Sequence, residues 1–270
     1  MSIFEAIVLG AIQGIAEWLP VSSEGMIVLV KNNFFGGGPL TDTIKTALFL
    51  HLGTFLAALI YFRRDVKNLY LWITDIQCRS DQSGQEFGKI LRFIIIATLI
   101  SAVLGWGLLE FLTSIENSII LTTRFINVAI AALLVITGIA QLKKKKNDGH
   151  RSASELKDGD SVLLGVAQGA AVLPGLSRSG LTVSVLLLRN FQDTQALRLS
   201  FLLSLPIVLA GNVFLNFNQA IFSLNNLVAL LSSFIFGYIT ISLFLKLAEK
   251  INFGWFAVIF AGLVFFSIFL

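Results

Sequence analysis

The 270-residue chain has little charge for its length and almost no cysteine or histidine. Only 13% of its residues are charged and 56% are hydrophobic, whereas soluble domains carry roughly 25% charged residues. The single cysteine, Cys78, excludes an internal disulfide framework and any metal or iron–sulfur site built from cysteines. With only two histidines, a histidine-rich zinc centre is not expected. Together with a mean hydropathy of +0.83, these scarcities predict an integral membrane protein without a separate soluble domain.

The N-terminal region has no early basic residue. The first is Lys31, and Glu5 stands where a secretory leader carries positive charge, so we expect the first apolar stretch to belong to the folded protein. The net charge of +4 is interpreted as a signal of membrane orientation, and no nucleic-acid partner is predicted.

Apolar stretches predict an all-α polytopic fold, because lipid leaves only helices or closed barrels with satisfied backbone groups. A spanning helix needs about 20 residues. Two stretches, 2–33 and 161–190, are interrupted by Pro, Ser and Gly, and their halves are too short to cross, so each is predicted to be a re-entrant helical hairpin. Six uninterrupted stretches are long enough to cross as helices: 42–62, 90–112, 122–142, 198–217, 224–246 and 253–270.

The two hairpins share a sequence pattern. Residues 9–14 read Leu-Gly-Ala-Ile-Gln-Gly and residues 164–169 read Leu-Gly-Val-Ala-Gln-Gly, and Leu-Pro followed by a serine-rich break and Gly comes after both. A chance match in apolar sequence is the alternative to a duplication. The duplication predicts repeats over 1–142 and 161–270, joined by a basic linker at 143–160. Each repeat holds one hairpin and three spans, and since three is odd, the second repeat is expected to be inverted.

Basic residues divide unequally between the two predicted sides of the membrane. One side has Lys31, Lys45 and Arg124, and Arg178 belongs to neither loop set. By the positive-inside rule the richer side is cytoplasmic. The protein is thus predicted to lie in the cell (plasma or inner) membrane, with the 143–160 linker in the cytoplasm and both termini outside. The lysine run in the linker is read as an orientation signal, with contact to anionic membrane lipid as the alternative. The richer side collects Arg63, Arg64, Lys67, Arg79, Lys89, Arg92, Lys143, Lys144, Lys145, Lys146, Arg151, Lys157, Arg189, Arg198, Lys246 and Lys250.

Charged residues at membrane depth are expensive and so are candidates for function. Glu17 and Arg178 lie at the breaks of the two hairpins, and antiparallel hairpins entering from opposite faces bring these breaks together near the centre of the bundle. A purely structural ion pair between Glu17 and Arg178 is the alternative.

Hydroxyl groups accompany both charges. Gln13 and Glu17 share one helix face, directed toward the first break, and a second half-helix is expected to start at each break with its N–H groups aimed inward. One guanidinium, two helix N-termini and several hydroxyls form an anion pocket. Any single serine is equally well explained as a plain N-cap. The pocket is predicted to contain Ser22, Ser23 and Glu24 from the first break and Ser177, Arg178, Ser179 and Thr182 from the second.

Both breaks resemble the two signature motifs of the bacitracin-resistance type undecaprenyl-diphosphate phosphatases. The segments are Gln-Gly-Ile-Ala-Glu-Trp-Leu-Pro-Val-Ser-Ser-Glu-Gly at 13–25 and Pro-Gly-Leu-Ser-Arg-Ser-Gly-Leu-Thr at 174–182. The resemblance extends to Phe-Arg-Arg at 62–64 and Phe-Leu-Leu-Ser-Leu-Pro at 201–206. It implies hydrolysis of a polyprenyl diphosphate to the monophosphate carrier lipid and inorganic phosphate, which recycles the carrier for cell-envelope glycan synthesis.

The resemblance also implies roles for individual residues. Ser23 falls on the nucleophile and Glu17 on the catalytic acidic residue, with Gln13 as its partner. Diphosphate binding is implied for Arg178, Ser177 and Thr182. Members typically use a divalent cation, Mg²⁺ or Ca²⁺, for which Gln13 and Glu17 are weak candidate ligands. A phosphoseryl intermediate on Ser23 and direct attack by water held by Glu17 are both compatible with the sequence.

The first motif departs from the family pattern, which usually ends Ser-Ser-Thr-Gly-His. Glu24 replaces the Thr and Met26 replaces the His, and a thioether cannot exchange a proton. Proton transfer then falls to Glu17 or Glu24, or the activity is reduced. His51, in the first full crossing, is either a further proton-transfer group or a packed core residue. Two other functions remain open: an inverted-repeat transporter or lipid flippase, and a non-catalytic relative that binds prenyl diphosphates.

Overall fold

The computed structural model describes residues 1–19, 22–74, 82–118, 123–142, 149–216, 223–250 and 254–266, and within them it is helical without named strands. Several positions discussed above lie outside the described residues: Pro20, Val21, Cys78, Arg79 and the lysines at 143–146. A short 3₁₀ helix, Ala153–Glu155, lies within the 143–160 linker. The α-helices are α1 Ile3–Ala16, α2 Ser23–Phe34, α3 Leu40–Tyr61, α4 Arg63–Thr74, α5 Gln82–Ser118, α6 Thr123–Leu142, α7 Asp158–Ala170, α8 Arg178–Leu188, α9 Asp193–Asn216, α10 Leu224–Lys250 and α11 Gly254–Phe266.

Four helices are long and apolar enough to cross a membrane, which confirms the prediction of an integral membrane protein. They are α3 and the apolar parts of α5, α9 and α10. The other two predicted crossings are also helical, as α6 and α11. However, within the described residues the apolar segment of α6, Arg124–Ala140, and the 13 residues of α11 are shorter than the roughly 20 residues that a spanning helix needs. At about 1.5 Å per residue, the 37 residues of α5 exceed the predicted 90–112 span and the roughly 30 Å hydrocarbon core.

Both interrupted stretches form pairs of short helices, as predicted. The first pair is α1 and α2, and the second is α7 and α8, and the described residues between the two helices of each pair belong to no helix. Helix α1 begins with a capping box, in which Ser2 accepts the backbone N–H of Glu5 and the Glu5 carboxylate accepts that of Ser2. The first helix of each pair packs along a long helix of the other half of the chain: α1 along α10 and α7 along α5.

The glycines of the shared motif lie where these helices meet. A Cβ atom on Gly10 would be 2.5 Å from a backbone oxygen of α10, and one on Gly14 would be 2.6 Å from a backbone nitrogen of α10. In α7, Cβ atoms on Gly165 and Gly169 would approach carbon atoms of α5 to 2.7 and 2.9 Å. Small residues four apart allow helix backbones to approach closely in a membrane. Close packing therefore gives a physical reason for the matching Gly-x-x-x-Gly spacing.

Helix α4 was not predicted from the sequence. It follows α3 directly, buries no residue, and carries Arg63, Arg64 and Lys67 on its exposed surface. Arg198 at the start of α9 joins it to α5, since its guanidinium contacts Asp65 of α4 at 2.6 Å and Glu86 of α5 at 3.1 Å.

The last part of the linker, residues 151–160, is fixed at the end of the bundle that also holds α4 and the start of α9. Asp160, in the first turn of α7, accepts hydrogen bonds from Arg151 at 2.7 Å and Arg189 at 2.8 Å. Burial raises the pKa of Asp160, but the hydrogen bonds from these two arginines and from the Lys157 backbone outweigh this and hold the pKa below the usual aspartate value. Nearby, Arg92 of α5 contacts Asp158 at 2.6 Å. These ion pairs hold residues 151–160 against α5 and the end of α8.

At the opposite end, the first turns of α3 and α10 are held by other contacts. Glu116, near the end of α5, accepts hydrogen bonds from the backbone N–H groups of Leu40 and Thr41. The N-terminus of α3 is therefore capped by a side chain of another helix. The Asn225 side chain donates to the carbonyl oxygen of Met1 at 2.6 Å. The N-terminus, the start of α3 and the start of α10 therefore share one end of the bundle.

Candidate active site

The two hairpin breaks meet inside the bundle, as the repeat pattern predicts. The Ser22 hydroxyl oxygen accepts the N–H of Gly25 in its own hairpin and the N–H of Gly175 in the other, each at 3.0 Å. Gly175 has φ +108°, and a Cβ atom there would lie 2.8 Å from the carbonyl oxygen of Ile130. Only glycine is unstrained in this conformation and this space, so the contact between the breaks depends on it.

Glu17 is the centre of the site. Its carboxylate is 6% exposed and accepts hydrogen bonds from Gln13 Nε2 at 2.8 Å and Ser23 Oγ at 3.0 Å. His51 Nε2 lies 3.2 Å from the same carboxylate oxygen, and Arg178 forms an ion pair with the other oxygen. Three donors from α1, α2 and α8, and the His51 ring of α3, therefore converge on one buried acid.

Arg178 is only partly used by this ion pair. Its Nη2 contacts Glu17, whereas Nη1 is buried and has no hydrogen-bond partner among the described residues. A guanidinium with one free N–H edge is suited to an anionic oxygen, because hydrogen bonds between charged groups are the strongest that a protein makes. The arrangement leaves Arg178 able to bind a second anion.

Two helices begin at the breaks, as predicted. Ser22 caps α2 and Ser177 caps α8, where its hydroxyl accepts the N–H of Gly180 at 3.0 Å. Each N-terminus adds positive partial charge. Both serines thus act as N-caps, which is the plain alternative considered for them, although each also lines the cavity described next.

A cavity of about 600 Å³ contains the site and extends from it into apolar surroundings. The apolar part lies between α5 and α9, next to Val103 and Phe214, whose side chains are 77% and 76% exposed on the outside of the bundle. The cavity therefore reaches the lipid-facing surface. Its polar part is lined by Glu17, Ser22, Ser23, Glu24, His51, Ser177, Arg178 and Ser179.

Two sequence candidates do not line the cavity. The Thr182 hydroxyl is fully buried and bonds to the Arg178 carbonyl oxygen at 2.8 Å and to Ser200 Oγ at 2.6 Å, between α8 and α9. Its geometry is that of a support for Arg178. Gln13 lies behind Glu17 and donates to it. Ser179 lines the cavity and also donates to the Leu19 carbonyl oxygen at 3.2 Å, which ties α8 to the first break.

Sequence reasoning missed two groups. Thr137 of α6 accepts the Ser177 N–H at 3.1 Å and donates to the Gly175 carbonyl oxygen at 3.2 Å, so it supports the second break. Gln168 of α7 lines the cavity, but the sequence comparison used it only as a repeat marker. Its alignment with Gln13 was the signal that could have found it.

A metal site has limited support in the side chains. Within the described residues, no group of three or more His, Cys, Asp or Glu side chains could hold a metal ion. Gln13 Oε1 is buried without a partner in the same part of the structure, beside the Glu17 carboxylate. Carboxylate and amide oxygens are ligands that Mg²⁺ and Ca²⁺ accept, and water and substrate oxygens commonly complete their coordination. These oxygen types thus suit a hard cation, and of the two candidate ligands only Glu17 lines the cavity.

Comparison with known proteins decides the family. The family model described as Bacitracin resistance protein BacA matches residues 6–265. The chain belongs to the BacA family. Three proteins similar in sequence to this BacA chain are named undecaprenyl-diphosphatase. One from Methanococcoides burtonii is 40% identical, covering 96% of this chain and 95% of the relative. One from Haloarcula marismortui is 40% identical (97% and 95%), and one from Desulforudis audaxviator is 31% identical (96% and 94%). The resemblance inferred from the two motifs is confirmed.

Proposed function

We propose that the protein is a membrane phosphatase that hydrolyses undecaprenyl or another polyprenyl diphosphate to the monophosphate carrier lipid and inorganic phosphate. The observation that carries this proposal is the cavity: Glu17, Ser23 and Arg178 meet at its polar end, and its other end reaches the lipid-facing surface between α5 and α9. An amphiphilic diphosphate matches both ends. The names of the BacA relatives favour the phosphatase over the transporter and flippase alternatives.

Binding of the diphosphate uses the positive groups of the site. Arg178 Nη1 and the N-termini of α2 and α8 face the position where the phosphates enter, and preorganised donors stabilise the charge that develops in phosphoryl transfer. A divalent cation held by Gln13 and Glu17 would add positive charge next to the phosphate oxygens. The prenyl tail leaves the cavity between α5 and α9 and lies in the bilayer.

Nucleophilic attack is assigned to Ser23. Its hydroxyl already donates to Glu17, so Glu17 takes the proton while Ser23 Oγ bonds to the terminal phosphorus and the bond to the bridging oxygen breaks. The leaving group is the polyprenyl monophosphate. Water then hydrolyses the phosphoseryl bond and releases inorganic phosphate. Direct attack by a water held by Glu17 uses the same groups, and Ser23→Ala separates the two routes.

Proton transfer is assigned to His51. Its Nδ1 lies 2.7 Å from the Ala47 carbonyl oxygen, which fixes the proton on Nδ1 in the neutral ring and leaves Nε2 toward Glu17. His51 can therefore accept a proton from the Glu17–Ser23 pair and return it to the leaving oxygen. This role compensates for Met26, which has no exchangeable proton. Glu24, which also lines the cavity, is the other candidate acid.

We further propose that the two halves are inverted repeats, 1–142 and 161–270, each with one re-entrant hairpin and three crossings. The reciprocal packing of α1 on α10 and α7 on α5 supports this, because exchanging the two halves converts one pair into the other. The ion pairs that join α4, the start of α5, residues 151–160 and the start of α9 support a common side for these basic segments. We assign that side to the cytoplasm of a plasma or inner membrane, with the N-terminus outside.

One assay tests the activity. Purified protein in detergent is given C15 and C55 prenyl diphosphates, with and without chelator, and released phosphate is measured. Release without any membrane gradient supports the phosphatase. Binding of the diphosphates without release would identify a non-catalytic relative. If no phosphate is released, the protein is reconstituted into lipid vesicles, where gradient-dependent movement of the lipid would identify a transporter.

A further inference from the structure

We propose that Gln168 binds the terminal phosphoryl group of the substrate through its side-chain carbonyl oxygen. This inference rests on the proposed phosphatase function and adds a residue from outside both hairpin breaks. Gln168 lies on α7, is only 5% exposed, and lines the same cavity as Arg178 and Ser23.

The orientation of the Gln168 carboxamide is fixed by its neighbour. Ser101 of α5 donates its only hydroxyl hydrogen to the Thr98 carbonyl oxygen at 3.0 Å. Ser101 Oγ can therefore only accept from Gln168, and the contact at 3.1 Å must be made by Gln168 Nε2. The carbonyl oxygen, Oε1, is then turned away from Ser101, and it is buried with no hydrogen-bond partner among the described residues.

A buried acceptor without a partner is costly, and a ligand that donates a hydrogen bond removes the cost. Arg178 lines the same cavity, and its Nη1 is a buried donor without a partner among the described residues. A phosphoryl group that carries one proton satisfies both: its P–OH donates to Gln168 Oε1 and its anionic oxygens accept from Arg178. Sulfate-like anions without a proton, or apolar molecules, would leave Gln168 unsatisfied.

The matching glutamine in the other half has a different position. Gln13 Nε2 donates to Glu17, and Gln13 is absent from the cavity lining. The duplicated position thus has two uses: Gln13 orients the acid and Gln168 faces the substrate. The partners of the two glutamines differ accordingly: the Gln168 carboxamide donates to Ser101, whereas the Gln13 carboxamide donates to Glu17.

The test compares Gln168→Met, which keeps length and loses the carbonyl, with Gln192→Met, the same change at an exposed glutamine outside the cavity. KM and kcat are measured with a C15 diphosphate, and inorganic pyrophosphate is used as a competitive inhibitor. We expect Gln168→Met to raise both KM and the pyrophosphate inhibition constant by about tenfold, with a smaller change in kcat. Ser101→Ala, which keeps Oε1 but frees the carboxamide, should raise both by about threefold. Gln192→Met should match the unmodified protein.

Binding without turnover separates this inference from the function on which it rests. Pyrophosphate should raise the melting temperature of the unmodified protein and of Gln192→Met. The rise should be much smaller for Gln168→Met. If no phosphate is released by any form, the proposed function fails, while this difference in melting temperature still supports the Gln168 site. Equal pyrophosphate affinity in Gln168→Met and the unmodified protein would mean that Oε1 holds only water, and would overturn the inference. A lower Mg²⁺ affinity with unchanged metal-free pyrophosphate binding would overturn it in favour of a cation ligand.

Discussion

Arg178 in the second hairpin forms an ion pair with Glu17 in the first, across 161 residues of sequence. Removal of Arg178 would leave the substrate phosphates poorly neutralised, so Arg178→Ala should nearly abolish phosphate release. Arg178→Lys should restore only part of the rate, because a point charge cannot bind Glu17 and phosphate through separate edges. Initial rates of phosphate release at saturating and at low substrate measure both effects.

The control for this prediction is the charge-swapped pair. A structural ion pair alone would tolerate Glu17→Arg combined with Arg178→Glu, whereas catalysis would not. We expect the double variant to remain inactive even if its melting temperature in detergent recovers. Recovery of both stability and phosphate release would show that the pair is structural, and the catalytic assignment of both residues would be withdrawn.

His51 should matter for rate more than for binding. His51→Ala removes the group 3.2 Å from Glu17, so kcat should fall on the order of 10²-fold with little change in KM. His51→Gln keeps a hydrogen-bonding side chain but cannot transfer a proton, and it should be nearly as slow as His51→Ala. A Gln variant with full activity would show that His51 only packs.

The glycine contacts of α1 should be necessary for stability. A methyl group at Gly14 would lie 2.6 Å from a backbone nitrogen of α10, which cannot move aside as a side chain could, so Gly14→Ala should destabilise the protein by about 1–3 kcal/mol. Gly107→Ala in α5 is the matched control, since a Cβ atom there meets nothing within 4 Å. Melting temperatures in the same detergent should fall for the first variant and stay level or rise for the second.

Acid should weaken the contact of the linker with α8. The pKa of Asp160 is lower in the folded protein than the usual value of about 3.9, so its ion pairs stabilise the fold above that value and are lost as the pH falls through the folded pKa. Asp160→Asn should therefore melt below the unmodified protein at pH 7, and the difference should shrink toward pH 3. A difference that is constant over this range would mean that the charge of Asp160 contributes nothing.

The orientation can be tested by labelling single cysteines in intact cells. In a Cys78→Ser background, Ser154→Cys lies on the side assigned to the cytoplasm and Ser223→Cys on the outer side, and both positions are exposed. An impermeant maleimide added from outside should label only the second. Labelling of Ser154→Cys in unbroken cells would reverse the assignment.

The breaks in the two helical hairpins could be predicted because proline, glycine and serine interrupt apolar runs at matching places. The contact between the two breaks could be predicted because each carries a charged residue, and charge inside a membrane is rare. The grouping of Glu17, Ser23 and Arg178 followed from these two facts. Helix α4 was not predictable by the same criterion, since its charged residues lower its hydropathy although its backbone is helical.

Contacts between distant helices were beyond the sequence argument. Motif spacing places Thr182 near Arg178, but the packing of α8 on α9 decides that its hydroxyl faces Ser200 instead of the cavity. In the same way, the role of Gln168 depends on Ser101, which lies on another helix and belongs to no motif. Local sequence fixes which groups are available, whereas helix packing selects the face that each one presents.

The ion pair between Glu17 and Arg178 also affects which anions the site retains. Without substrate, the guanidinium is already balanced by a carboxylate, so a small ion from the aqueous phase finds little net attraction and must compete with an internal partner. A diphosphate attached to a prenyl chain is held in place by its tail and brings several negative oxygens at once. The site is therefore expected to resist inhibition by chloride and inorganic phosphate at cellular concentrations, and to bind diphosphates, most tightly those attached to a lipid.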